Sequence, residues 1–172
     1  VCFVYRDSLY VFGGTDNSSN MNEIVRYDLS TQNSGEWTTI AKVNEANQRG
    51  GVAFVVEDKV YAGLGEKSNG IRNGFYVSSD SLTKWELIPS IPAQLGVISS
   101  GVYDEQKKSF FMIDNDGKIW EYNLTTEQWT SRSLWIRMKN YHMFMLDGSI
   151  YILGQDIYQK NKFTVYNPIW DN

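Results

Sequence analysis

The chain has 172 residues, 15% aromatic and 21% charged, with a net charge of −4. This is the composition of a globular protein long enough for a sizeable core, and it argues against disorder. The 16 Lys and Arg are scattered rather than clustered, which argues against nucleic acid as a partner, and apolar runs of four to six residues are far too short to insert in a membrane. Cys2 is alone, so no intrachain disulfide and no cysteine-based metal site can form.

The chain opens inside an apolar run, VCFVYRDSLYVFGGT (1–15), without an initiator Met, the expected start of a processed, excised or incomplete chain. Two strands flank the turn Arg6-Asp7-Ser8, and the second ends on Gly13-Gly14. The phrase returns as GGVAFVVEDKVYAGLGE (50–66) and as HMFMLDGSIYILGQ (142–155). Between these, FFMID and KIWEYN are joined by Asp116-Gly117, a strong two-residue hairpin signal. Each unit reads as four short strands, which in the second unit are 51–56, 60–65, 74–79 and 85–89. Runs rich in Val, Ile, Phe and Tyr between Asp, Asn, Gly and Ser favour strand, and no window shows capped helical periodicity. The expected fold class is all-β.

Two markers measure the repeat. The second-strand aromatic recurs as Tyr10, Tyr61, Phe110 and Tyr151, and a fourth-strand Trp as Trp37, Trp85, Trp129 and Trp170. Four-stranded units at this period imply a β-propeller, in which stacked sheets cover faces that one meander cannot bury alone. The units run roughly 1–41, 42–90, 91–133 and 134–172. The glycines let the second strand finish where neighbouring backbone crowds.

At these residues the chain resembles the kelch repeat family. LYVFGG (9–14) matches the family's diglycine strand, and VYAGLG and IYILGQ match it in part. EYNLTTEQW places Tyr122 and Trp129 at the family's separation, and Lys139-Asn140-Tyr141-His142 stands where Arg-x-Gly-His opens a first strand. The third unit departs, with Ile113-Asp114 in place of the glycines, and Tyr76 and Ser78 compete for the third-strand Tyr position of the second unit. The resemblance implies a kelch-type β-propeller of four four-stranded blades. Kelch rings usually have more, so the remaining blades of a larger ring are expected outside this chain. A complete small ring is the alternative.

No catalytic constellation is legible. His142 is the single histidine and fits a structural first-strand position, so metal centres and the copper site of some kelch oxidases cannot be assembled, and no cofactor is expected. DNDG (114–117) lacks the remaining ligands of a calcium loop and reads as a plain turn. By the resemblance, one mouth of the propeller is lined by loops 15–23, 66–73, 114–117 and 155–161, joined by 42–49, 90–96 and 133–140. They carry the ligand-binding candidates Arg49, Arg72, Arg137, Trp135, Tyr158 and Asn73. Arginine grips carboxylates through a fork of donors, and Trp and Tyr offer flat faces to a sugar or peptide. The structural alternative is that Arg49 braces its blade and Trp135 packs between blades.

The expected function is therefore a non-catalytic recognition module for a protein segment or glycan. The alternative is a sugar-handling enzyme resembling the kelch-type sialic-acid mutarotases, in which Arg and carboxylate side chains grip an acidic sugar. A structural blade set in a larger secreted protein is a third reading. Loops rich in Asn, Ser, Tyr and Trp suit an extracellular or periplasmic location.

Overall fold

The computed structural model describes residues 1–16, 18–28, 36–70, 74–79, 81–92, 98, 100–114, 116–136 and 138–168, without the side chains of 79 and 133–135. These residues form antiparallel sheets and a single 3-10 turn at Asn44–Ala46. The chain divides into two compact units, Val1–Ser90 and Ile91–Asn172.

In the first unit, β1 (Cys2–Tyr5), β2 (Ser8–Phe12), β3 (Glu23–Asp28) and β4 (Trp37–Lys42) pair in sequence order. So do β5 (Val52–Val56), β6 (Lys59–Gly63), β7 (Phe75–Ser79) and β8 (Glu86–Leu87). Tyr5 faces Ser8 and Val56 faces Lys59, so both opening hairpins close over two residues. Arg6 and Asp7 take φ of 45° and 56°, the left-handed backbone that matches a tight turn to the twist of its strands. The two turns are tied together, because the Tyr5 hydroxyl donates to the Asp58 carbonyl at 3.1 Å.

Period-2 alternation then sorts the side chains. Phe3, Tyr5, Tyr10, Phe12 and Ile24 form one core cluster with Val60, Ala62, Tyr76, Leu82 and Trp85. Phe12 meets the Trp85 ring edge-on, centroids 4.7 Å apart. Each such side chain contributes about 1.5–3 kcal/mol by leaving water. Trp37, the marker matching Trp85, is instead half exposed and lies 5.4 Å from the Tyr27 ring.

In the second unit, β9 (Gly101–Asp104), β10 (Ser109–Ile113), β11 (Lys118–Asn123) and β12 (Gln128–Trp135) form one sheet. The other comprises β13 (Lys139–Leu146), β14 (Ser149–Gln155) and β15 (Asn161–Tyr166), three strands among the described residues. Val102, Phe111, Ile113 and Ile119 share a core cluster with Tyr141, Met143, Ile150, Ile152 and Tyr166. The Tyr141 hydroxyl donates to the Ile113 carbonyl. Burial, with the Asp114 charge as a lesser cause, holds that phenol well above its ordinary pKa.

The registers correct several expectations. Asp104 faces Ser109, so the β9–β10 turn holds residues 105–108 and is longer than its counterparts. Counting from the hairpin, Phe111 and not Phe110 is equivalent to Tyr10, Tyr61 and Tyr151. One residue matters here, because a single slip exchanges the two faces of a strand. The competition between Tyr76 and Ser78 resolves likewise: Ser78 faces Val60 as Tyr27 faces Leu9 and Tyr122 faces Phe110. Ile113 faces Ile119, so the Asp116-Gly117 hairpin closes over residues 114–118 rather than two. The strand expected over 85–89 shrinks to β8, and the loop expected over 133–140 shortens because β12 runs to Trp135 and β13 starts at Lys139.

Candidate functional site

The loop face of the first unit is built where β2 and β6 end. Gly13 has a φ of 64°, and a Cβ there would lie 2.1 Å from the Ala46 carbonyl oxygen and 2.6 Å from that of Gln48. Only glycine lets the connector between the two sheets pass so close. The connector is pinned by Gln48, which is 1% exposed. Its side chain donates to the Glu45 carbonyl at 2.7 Å and accepts from the Gly65 N–H at 2.8 Å. The Gly14 N–H donates to the Gln48 carbonyl at 2.9 Å, completing the clamp.

Around this clamp lie two depressions. One, of about 250 Å³, is lined by Asn44, Asn47, Lys67, Ser68 and Asn69. The other, of about 220 Å³, is lined by Asp16, Ser19, Asn20, Met21, Asn22 and Glu23. The loops that carry them are joined directly, since the Asn20 side chain donates to the Glu66 carbonyl at 2.8 Å. Lys67 is positioned by Tyr76, its Nζ donating to the phenolic oxygen at 2.7 Å while lying over the ring. In the other loop the Asp16 carboxylate accepts from the Ser18 and Ser19 N–H groups at 3.1 and 3.0 Å. The Ser19 amide bond, then the Ser18 bonds, lower its pKa to about 2. The lining residues are mainly Asn and Ser, whose amides and hydroxyls can donate and accept, together with Lys67 in the first depression and Asp16, Met21 and Glu23 in the second.

Arg49 stands beside this face and is already engaged. Its Nε and Nη2 lie 3.0 and 2.7 Å from one Glu66 oxygen, and the two residues also exchange backbone hydrogen bonds. With the guanidinium side chain 59% exposed, such a pair contributes at most about 1 kcal/mol and serves chiefly to fix the loop. Tyr158 belongs to the second unit, 74% exposed on a turn whose amides donate to Asp156. Arg72, Asn73 and Arg137 lie outside the described residues, as does the Trp135 side chain; the Trp135 backbone ends β12. Of the six candidates, only Arg49 and Tyr158 have described side chains, and the two belong to different units. Asn20, Asn44, Lys67 and Ser68 line the depressions instead. They lay in the loops expected to form the mouth, but their residue types carry no signal until the clamp places them side by side.

The Asp114 carboxylate accepts from the Asp116 and Lys118 N–H groups and from the Trp120 indole, each at 2.8–2.9 Å. These donors are those of a turn. No group of three or more His, Cys, Asp or Glu able to hold a metal ion occurs among the described residues.

Comparison with known proteins accords with this geometry. Residues 1–44, which carry β1–β4, match the family described as Kelch motif. Residues 1–44 carry a kelch motif. Among solved structures, the one titled "Structure of YjhT" superposes with a TM-score of 0.66 at 9% identity, over 95% of this chain and 64% of that one. The chain thus spans less than two thirds of that structure, and the likeness speaks for fold. Motif and likeness together make the sheets those of a kelch-type β-propeller. No curated protein matches the chain in sequence.

Proposed function

We propose that the loop face of the Val1–Ser90 unit is a non-catalytic recognition surface for a glycan or a protein segment. The observation that carries this reading is the pair of amide- and hydroxyl-lined depressions held side by side by Gln48 and Asn20. Side-chain amides and hydroxyls offer the paired donors and acceptors that sugar hydroxyls and peptide bonds both demand. Backbone clamps keep them in place before the ligand arrives, which lowers the entropy lost on binding.

The mutarotase-like alternative requires a guanidinium free to grip an acidic sugar. Arg49 offers its guanidinium to Glu66 instead, which makes that residue a brace for its loop.

The test is a glycan array and a displayed peptide library probed with the whole chain, followed by calorimetry on the best ligand. Asn47→Ala and Lys67→Ala are each expected to weaken binding about tenfold, the loss of one or two net hydrogen bonds. A ligand whose affinity neither variant changes would remove this surface from the reading. Faster interconversion of N-acetylneuraminate anomers, abolished by Arg49→Ala, would favour the enzyme.

A further inference from the structure

Several cations of this chain are fixed by a carboxylate: Arg6 by Asp58, Lys42 by Glu23, Arg49 by Glu66 and Arg132 by Glu121. Lys67 is fixed by a neutral phenol. Its Nζ donates to the Tyr76 hydroxyl oxygen at 2.7 Å and lies 5.1 Å from the centre of that ring. Tyr76 is itself immobile, because it is 8% exposed and belongs to the core cluster of its unit. Its hydroxyl has room only because residue 74 is glycine, where a Cβ would stand 2.5 Å from that oxygen.

Among the described residues no carboxylate lies within ion-pair distance of the Lys67 ammonium. The adjacent Glu66 carboxylate holds Arg49 instead. Tyr76 takes one of the three ammonium donors, and two remain. They belong to the depression of about 250 Å³ whose other lining residues are Asn44, Asn47, Ser68 and Asn69. Both walls come from the interior of the chain, one from the connector between β4 and β5 and one from the loop between β6 and β7. Ser68 Oγ donates to Asn47 Oδ1 at 3.4 Å, so among the described residues the Asn47 amide keeps its own donors for a ligand. A positioned cation without a counter-ion, ringed by amides, is complementary to an anion with hydrogen-bonding neighbours.

The chemistry of the lining chooses between a glycan and a protein segment. A sugar ring is gripped through its apolar face by an exposed aromatic ring, and none of the five lining residues is aromatic. The Tyr76 ring beside them is buried and already faced by the ammonium. Side-chain amides, in contrast, match the N–H and C=O groups of an extended peptide, while the ammonium matches an acidic side chain.

We propose that this depression is a subsite for the carboxylate of an Asp or Glu side chain on a partner protein segment. The carboxylate seats on Lys67, and Asn44 and Asn47 take the peptide groups beside it. The inference rests on the recognition surface proposed above and names the charge its ligand carries. Tyr76 is a positioning residue: it holds the ammonium in place before the ligand arrives, so less side-chain freedom is lost on binding.

Two blocked peptides test it on the whole isotope-labelled chain: acetyl-Gly-Glu-Gly-amide and its isostere acetyl-Gly-Gln-Gly-amide, each titrated while amide shifts are followed. The Glu peptide is expected to bind about three- to fivefold more tightly, the range of one exposed ion pair, with its largest shifts at Asn47 and Ser68. The preference should vanish in Lys67→Gln, persist in Lys67→Arg, and shrink as salt rises from about 20 to about 500 mM and the charges are screened. Tyr76→Phe keeps the charge but should lose part of the preference. The dispersion of the amide spectrum checks the folding of each variant. Equal binding of the two peptides, no shift from either at about 50 mM, or a preference that survives Lys67→Gln would overturn the proposal. Tighter binding of methyl glucuronide than of the Glu peptide at the same amides would also overturn it, by assigning the charge to a sugar. Failure of the recognition reading looks different: the Glu peptide keeps its preference at Lys67 while ligands from the array and the library map elsewhere, and the subsite stands without the wider surface.

Discussion

Replacing Gln48 with Ala removes a buried amide that makes two hydrogen bonds, to the Glu45 carbonyl and from the Gly65 N–H. Each bond contributes about 1 kcal/mol net, and a buried N–H left without an acceptor costs a further 1–3 kcal/mol. The Glu45 carbonyl can turn to water, whereas Gly65 is buried against the connector, where a Cβ would lie 2.6 Å from the Arg49 carbonyl oxygen. The expected destabilisation is therefore about 2–4 kcal/mol. Urea unfolding of the whole chain measures it, and hydrogen exchange at the Gly65 amide locates it. Gln48→Glu sharpens the test. A carboxylate still accepts from Gly65 but sets a charged oxygen against the Glu45 carbonyl. Burial raises the pKa of such a group, so this variant should be more stable at pH 5 than at pH 8, where its proton is lost. A Gln48→Ala loss below about 0.5 kcal/mol, within the range of ordinary surface substitutions, would refute the clamp.

Two further outcomes follow from other parts of the structure. Asp16 has its folded pKa lowered to about 2, so its contribution to loop order is complete above its ordinary value of 3.8 and is lost as pH falls through about 2; amide shifts of Ser18 and Ser19 should titrate with that midpoint. Tyr141→Phe deletes a buried hydroxyl and leaves the Ile113 carbonyl without that donor, so the second unit should lose about 1–3 kcal/mol in urea unfolding, with the exchange of the first unit unchanged.

The sequence carried the blade plan because hairpins write themselves locally. An acidic turn between two alternating apolar runs, ended by glycine, needs no distant information, and β1–β2, β5–β6 and β13–β14 fall where that pattern lies. The register of the third unit was not legible by the same rule. Its turn is two residues longer, so spacing alone led to Phe110 while the pleat places Phe111 on the matching face. The site was harder still. Arg49 attracts attention by residue type, yet whether it meets a ligand or Glu66 depends on a contact across 17 positions of sequence. Asn20 and Lys67 are unremarkable letters in polar loops, and they line depressions because Gln48 and the glycines draw separate loops together.

The strand order of every sheet follows the order of the chain. Among the described residues no strand waits for a distant partner, and each sheet can close its hydrogen bonds as soon as its own residues are available. Chains emerge from the ribosome at about 5–20 residues per second, slower by orders of magnitude than the microseconds a hairpin needs. Each sheet is therefore complete within seconds of synthesis, and within each unit the first sheet's core face waits for the second sheet. Within each unit, birth order is also the order in which the sheets can close, and the first sheet stays exposed on its core side for as long as it takes to translate the second.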